Sequence, residues 1–154
     1  MLIIGGFLGL GICLAASVID IREYRIPNRL VVVGLVVMVT VLSAVSVIER
    51  SWTPMVAGLL GGLAFFAAYL ILALISPTGM GMGDVKLAAI VGLMLGPLGL
   101  SASIVGFYAA FIAGALFGLI RMAVHHSGLR SRLPFAPFMT IGAALGLLWP
   151  MIIV

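Results

Sequence analysis

All the charged side chains of this 154-residue chain fall in four short segments, near 20–29, 49–50, 84–86 and 121–132, and the long stretches between them carry no charge. That spacing decides the solvent. A chain that is 64% hydrophobic and 8% charged, with a mean hydropathy of +1.40, cannot fold as a soluble domain of this size without leaving most of its apolar surface in water. The pattern predicts an all-α, polytopic membrane protein, with apolar stretches near 2–19, 30–48, 54–76, 85–100, 102–120 and 134–153. At ~20 apolar residues per span, these make about six transmembrane helices in a single membrane domain over 1–154, with the lipid bilayer as partner and no nucleic acid expected.

The weakest boundary is the fourth to fifth, because residues 87–120 carry no charge and could form one helix. Such a helix would be about 51 Å long at ~1.5 Å per residue, against a hydrocarbon core of roughly 30 Å. The Gly96-Pro97-Leu98-Gly99 turn is the natural place to fold it back. With that break, Arg22, Arg25, Arg29, Lys86, Arg121, Arg130 and Arg132 fall on one side and Arg50 alone on the other. Short cytoplasmic loops are enriched in Lys and Arg, so the loops near 20–29, 77–86 and 121–133 are expected in the cytoplasm and both termini outside.

Small residues recur four apart at Gly58 and Gly62, Gly92 and Gly96, Gly114 and Gly118, and Gly142 and Gly146. In lipid this spacing lets helix backbones approach closely, so these glycines are assigned to contacts within the bundle, with a homodimer contact as the alternative. Cys13 stands alone in an apolar run, which excludes an internal disulfide or cysteine zinc site. The first apolar run lacks the preceding Lys or Arg of a secretion signal and reads as a retained helix.

Four acids remain to carry chemistry. Asp20 and Asp84 stand at helix boundaries on the same expected face, where ionisable groups are costly and mark function. Asp20 opens DIREYRIPN, in which Pro27 fixes the backbone and Asn28 is suited to cap the second helix. Asp84 closes GMGMGD, whose glycines at 79, 81 and 83 let the chain bend and let another backbone come close. Two carboxylates a few ångströms apart cannot both ionise and come to share a proton, so one can activate a water while the other polarises a peptide carbonyl. By helix-end electrostatics, Asp84 near a positive N-terminus would be the anion and Asp20 near a C-terminus the acid. The competing structural reading makes both acids interfacial anchors, Asp20 paired with Arg22 or Arg25 and Asp84 with Lys86. Glu23 and Glu49 read as solvated loop acids, and His125 and His126 as a solvated pair with no third metal ligand in sight.

A resemblance adds to these readings. Asp20 to Asn28, as D-x5-IPN, and GMGDVKLAAIVGLMLG at 81–96 resemble the two signature regions of bacterial prepilin peptidases, membrane aspartic proteases of the GxGD type. LPFAPFMTIGA at 133–143 is similar to the PFGPF-type segment opening the last helix of that family, with Ala136 where Gly is usual. The resemblance implies that Asp20 and Asp84 are the catalytic pair, that Gly81 and Gly83 shape the substrate loop, and that Lys86 belongs to the same substrate-binding motif. The chain offers no plausible cluster of metal ligands, so no metal and no cofactor are expected. The resemblance also implies as substrate a type IV prepilin or pseudopilin precursor, from a pilus or a type II secretion system, cut on the cytoplasmic side of the bacterial inner membrane. The chain is most similar to the short peptidases of Flp/Tad-type pili, without the cytoplasmic CxxC domain of bifunctional members, so an unmethylated product is expected. The alternative from another class is a small proton-coupled transporter, against which both acids lie toward one membrane face.

Overall fold

The computed structural model describes residues 2–75, 80–125 and 134–153, with the side chains of 121–125 left aside. Its helices are α1 (Leu2–Glu23), α2 (Asn28–Ile48), α3 (Thr53–Ile75), α4 (Met82–Leu95), α5 (Leu100–His125) and α6 (Ala136–Ile153), and a short 3-10 turn, Gly96–Leu98, joins α4 to α5. The chain is all-α and polytopic, as expected. Gly79, His126, Arg130, Arg132 and Leu133, which entered the sequence reading, lie outside the described residues.

The expected break at Pro97 is present: proline sits in the 3-10 turn and Gly99 follows at φ +104°, a left-handed conformation that glycine adopts without strain. The break leaves α4 with fourteen residues, about 21 Å at ~1.5 Å per residue. Five of the described helices are long and apolar enough to cross a membrane, and α4 is not among them. It has no need to be. Helix α4 packs against each of the other five helices, and ten of its residues are buried, so it stands at the centre of an incomplete ring of neighbours that is open between α3 and α5.

The glycine pairs make the ring tight. A Cβ on Gly92 would collide with the Gly61 carbonyl, and one on Gly96 with the Ala57 carbonyl, so α3 and α4 touch backbone to backbone. Gly142 of α6 has the same relation to Gly106 of α5. These are contacts within one chain, where dispersion between closely approaching backbones holds helices together in lipid. Large apolar side chains such as Phe7, Leu60, Ile112 and Ile152 cover the outer surface.

Helix α1 runs to Glu23, so Asp20 lies inside its last turn and does not end it. A charged residue interrupts an apolar stretch without interrupting a helix. The chain leaves α1 through Tyr24 at φ +51°, whose amide donates to the Asp20 carbonyl. Asn28 does not cap α2: it is the first helical residue, Pro27 precedes it in extended conformation, and the Pro27 carbonyl accepts from the amides of Leu30 and Val31.

Candidate active site

Asp20 and Asp84 come from different helices and are both buried, each 6% exposed. They lie within electrostatic reach of one another across the α1–α4 contact. Asp84 occupies the first turn of α4, where its amide donates to the Gly81 carbonyl (3.0 Å) and its Oδ2 accepts from the Gly81 amide (3.2 Å). This reciprocal pair satisfies two groups that a helix start leaves open. The second oxygen, Oδ1, is buried and has no hydrogen-bond partner among the described residues.

Asp20 is held from the far end of the sequence. Its Oδ2 accepts from the amide of Ala136 (3.2 Å), the first residue of α6, with the Phe135 amide beside it. Deeper in the same interface, Ser17 and Thr140 share a hydrogen bond (2.7 Å); the Ser17 hydroxyl also reaches the Cys13 carbonyl (2.8 Å), as does that of Thr140 (3.0 Å). These buried hydroxyls pin α6 to α1 below the carboxylate, where an unpaired polar group in lipid would be costly.

The assignment of roles from helix ends is corrected by this arrangement. Asp20 does lie near the C-terminus of its own helix, but its carboxylate meets the N-terminus of α6, so both acids face positive helix ends. Neither forms the anchoring ion pair considered above among the described residues. Arg22 and Arg25 are exposed, and the Lys86 amine donates to Asn28 Oδ1 at 2.8 Å. Glu23 and Glu49 are exposed.

The three residues expected to meet substrate have different surroundings. Gly81 is exposed, and among the described residues a Cβ there would reach Asp84 Oδ2 at 3.4 Å and Gly83 N at 3.9 Å. At Gly83 a Cβ would press on Ile26, 3.0 Å from its Cβ and 3.4 Å from its amide nitrogen. The space above Gly83 is therefore filled by the chain's own IPN turn, and Lys86 is engaged by the next residue but one of that turn. Among the described residues no group of three His, Cys, Asp or Glu could hold a metal ion.

Several contributors have no role in the sequence reading, although Phe135, Ala136 and Thr140 lie in the segment it quotes. Tyr69 of α3 is 1% exposed and near enough to Asp84 to sense its charge. Its ring packs against Phe107 (5.6 Å), Phe111 (5.2 Å) and Phe135 (6.1 Å), an aromatic cluster between α3, α5 and the start of α6. Phe135 links the two acids, with its ring on Tyr69 and its amide by Asp20. The Ala136 amide and the Ser17–Thr140 pair complete the setting. The PFAPF segment was the only available signal for the amides, since a main-chain donor leaves no mark of its own in a sequence.

Comparison with known proteins follows the same lines. The chain matches the type IV leader peptidase family over residues 7–119, which contain both acids, the glycine loop and the IPN turn. It is similar to the prepilin leader peptidase/N-methyltransferase of Bacillus subtilis (strain 168), at 34% identity over 142 residues covering 91% of this chain and 53% of that protein. Proteins of the same description from Stutzerimonas stutzeri and Pseudomonas putida are each 30% identical, covering 88% of this chain and 46% of their own length. The chain thus spans about half the length of these relatives. No solved structure matches it significantly.

Proposed function

The chain belongs to the type IV leader peptidase family, and from that premise we propose that it is a membrane aspartic endopeptidase whose working groups are Asp20 and Asp84. Its substrate is the precursor of a type IV pilin or pseudopilin, from which it removes the short basic leader on the cytoplasmic side. The observation that carries this reading is the convergence of two buried carboxylates from separate helices, each fixed through one oxygen by a main-chain amide.

One carboxylate removes a proton from a water, which attacks the scissile carbonyl carbon. The other, protonated, donates to the carbonyl oxygen as charge develops there. The tetrahedral intermediate collapses with proton return to the leaving amine, and the pair regains its shared proton. Fixed amides suit this chemistry, since in a site shielded from water they stabilise charge without reorganising. The leader lies extended along the exposed glycine at 81, the open stretch beside Asp84. The bias of cations toward the carboxylate end, Arg22, Arg25, Arg29 and Lys86 among them, supports a cytoplasmic orientation.

The test is purified protein with a prepilin precursor in detergent. A shortened product is expected from the unaltered chain, and none from Asp20→Asn or Asp84→Asn expressed at the same membrane level. Cleavage by either variant near the unaltered rate would remove that residue from the mechanism. No cleavage by the unaltered chain would remove the reading.

A further inference from the structure

The hydrogen bond from Lys86 to Asn28 joins the two signature segments across 58 positions of sequence, and it lies within two residues of Asp84. A lysine at a membrane boundary ordinarily extends its amine into water. Here the amine, still at the exposed surface, donates at 2.8 Å to the side-chain carbonyl of the first residue of α2, a length typical of a charge-assisted bond.

A second, apolar contact joins the same two segments. Ile26, 8% exposed and part of the core, lies over Gly83, where an added Cβ would come within 3.0 Å of its own Cβ. Ile26 and Asn28 belong to the turn that leaves α1 just beyond Asp20, and Tyr24 of that turn is tied to the Asp20 carbonyl. Gly83 and Lys86 flank Asp84 in the first turn and a half of α4. The two fasteners thus hold the segment that follows one carboxylate against the segment that carries the other.

We propose that Lys86 and Asn28 are positioning residues that set the separation of Asp20 and Asp84, and that the Lys86 amine is committed to Asn28 and not to the substrate leader. This rests on the peptidase reading above. Because a displacement of about 1 Å at a reacting centre costs on the order of 100-fold in rate, the loss of this bond is felt in turnover. It is not felt in precursor affinity, because the amine meets Asn28 and not the substrate.

The experiment measures kcat and KM for precursor cleavage by Lys86→Met, Asn28→Leu and the double variant. Each single change is expected to lower kcat by roughly 10- to 100-fold with KM nearly unchanged. The double variant should be no worse than either single one, as befits two ends of one bond. Asn28→Asp, which keeps an acceptor for the amine, should retain most of the activity. Should Leu at 28 reduce the amount of folded enzyme, Asn28→Ser, polar but too short to reach Lys86, replaces it with the same expectation.

A raised KM and unchanged kcat in Lys86→Met, with Asn28→Leu fully active, would make Lys86 a leader-binding residue and overturn the proposal. Additive losses in the double variant would overturn it as well. Unaltered enzyme that cleaves, Asp variants that do not, and wild-type turnover in all the 28 and 86 variants would sink this inference while leaving the peptidase reading intact.

Discussion

The donation from the Ala136 amide to Asp20 can be deleted without altering any ionisable side chain. Position 136 opens α6, where the fixed φ of proline suits the helix and a missing N–H costs no intrahelical bond. Ala136→Pro therefore removes the donor held 3.2 Å from Asp20 Oδ2 and leaves the Phe135 amide in place. A hydrogen bond to a charged group contributes ~1.5–3 kcal/mol. At about 1.4 kcal/mol per tenfold change in rate, turnover should fall by roughly 10- to 100-fold, because the proposed cycle passes through ionised Asp20. The assay is cleavage of purified precursor at saturating concentration. Membrane abundance and thermal midpoint are measured alongside, since the Ala136 methyl is fully buried and the ring must fit there. Ala136→Gly keeps the amide and is expected to stay close to the unaltered rate. A folded proline variant that turns over at more than half that rate would refute the reasoning.

Gly92→Ala, whose methyl would meet the Gly61 carbonyl where neither backbone can yield, should destabilise the bundle by ~1–3 kcal/mol, seen as a lower thermal midpoint in detergent. Thr140→Val removes a hydroxyl shared between α1 and α6, and given ~0.6 kcal/mol for a typical interhelical hydrogen bond in lipid, it should cost about 1 kcal/mol. Gly83→Ala should impair cleavage far more than Gly81→Ala, since its methyl presses on Ile26 while that at 81 enters nearly open space; equal rates would show that the Ile26 contact is dispensable. Cleavage should survive EDTA, and loss of activity restored by zinc would contradict a mechanism built on two carboxylates.

The helices and the Pro97 break were legible because transfer to lipid and the placement of charge are strong, local signals. What escaped was the difference between a helix facing lipid and one facing protein. Both are apolar, so nothing in VKLAAIVGLML distinguishes the buried α4 from the lipid-facing α1. The burial of Asp20 and Asp84 was anticipated from the cost of charge at that depth, but their partners were not. The amide at 136 arrives from 116 positions away, and the occupant of the space above Gly83 is the turn that precedes α2. Asn28 looked like a cap because Asn favours that role, yet Pro27 already supplies the backbone start and frees the side chain for Lys86.

The short central helix gives these contacts a common cause. Because α4 is short and central, its N-terminus can sit among its neighbours, where Asp84 lies within electrostatic reach of Asp20 on α1 and of Tyr69 on α3. Helix α6 begins at the same end and presents its first amide to Asp20. Each carboxylate is thereby held through one oxygen by an amide at a helix start, while Asp84 alone keeps a buried second oxygen without a partner among the described residues. Helix-end electrostatics then cannot separate acid from base, for the positive ends of α4 and α6 favour negative charge at both positions alike. Two carboxylates that share one proton titrate as a unit. For the proposed reaction that sharing is an advantage, since the group that takes a proton from water must later help return one to the leaving amine. The asymmetry that remains lies in the neighbours, the Tyr69 ring beside Asp84 and the Ser17–Thr140 pair below Asp20, and it is there that a preference for one direction of proton transfer would be built.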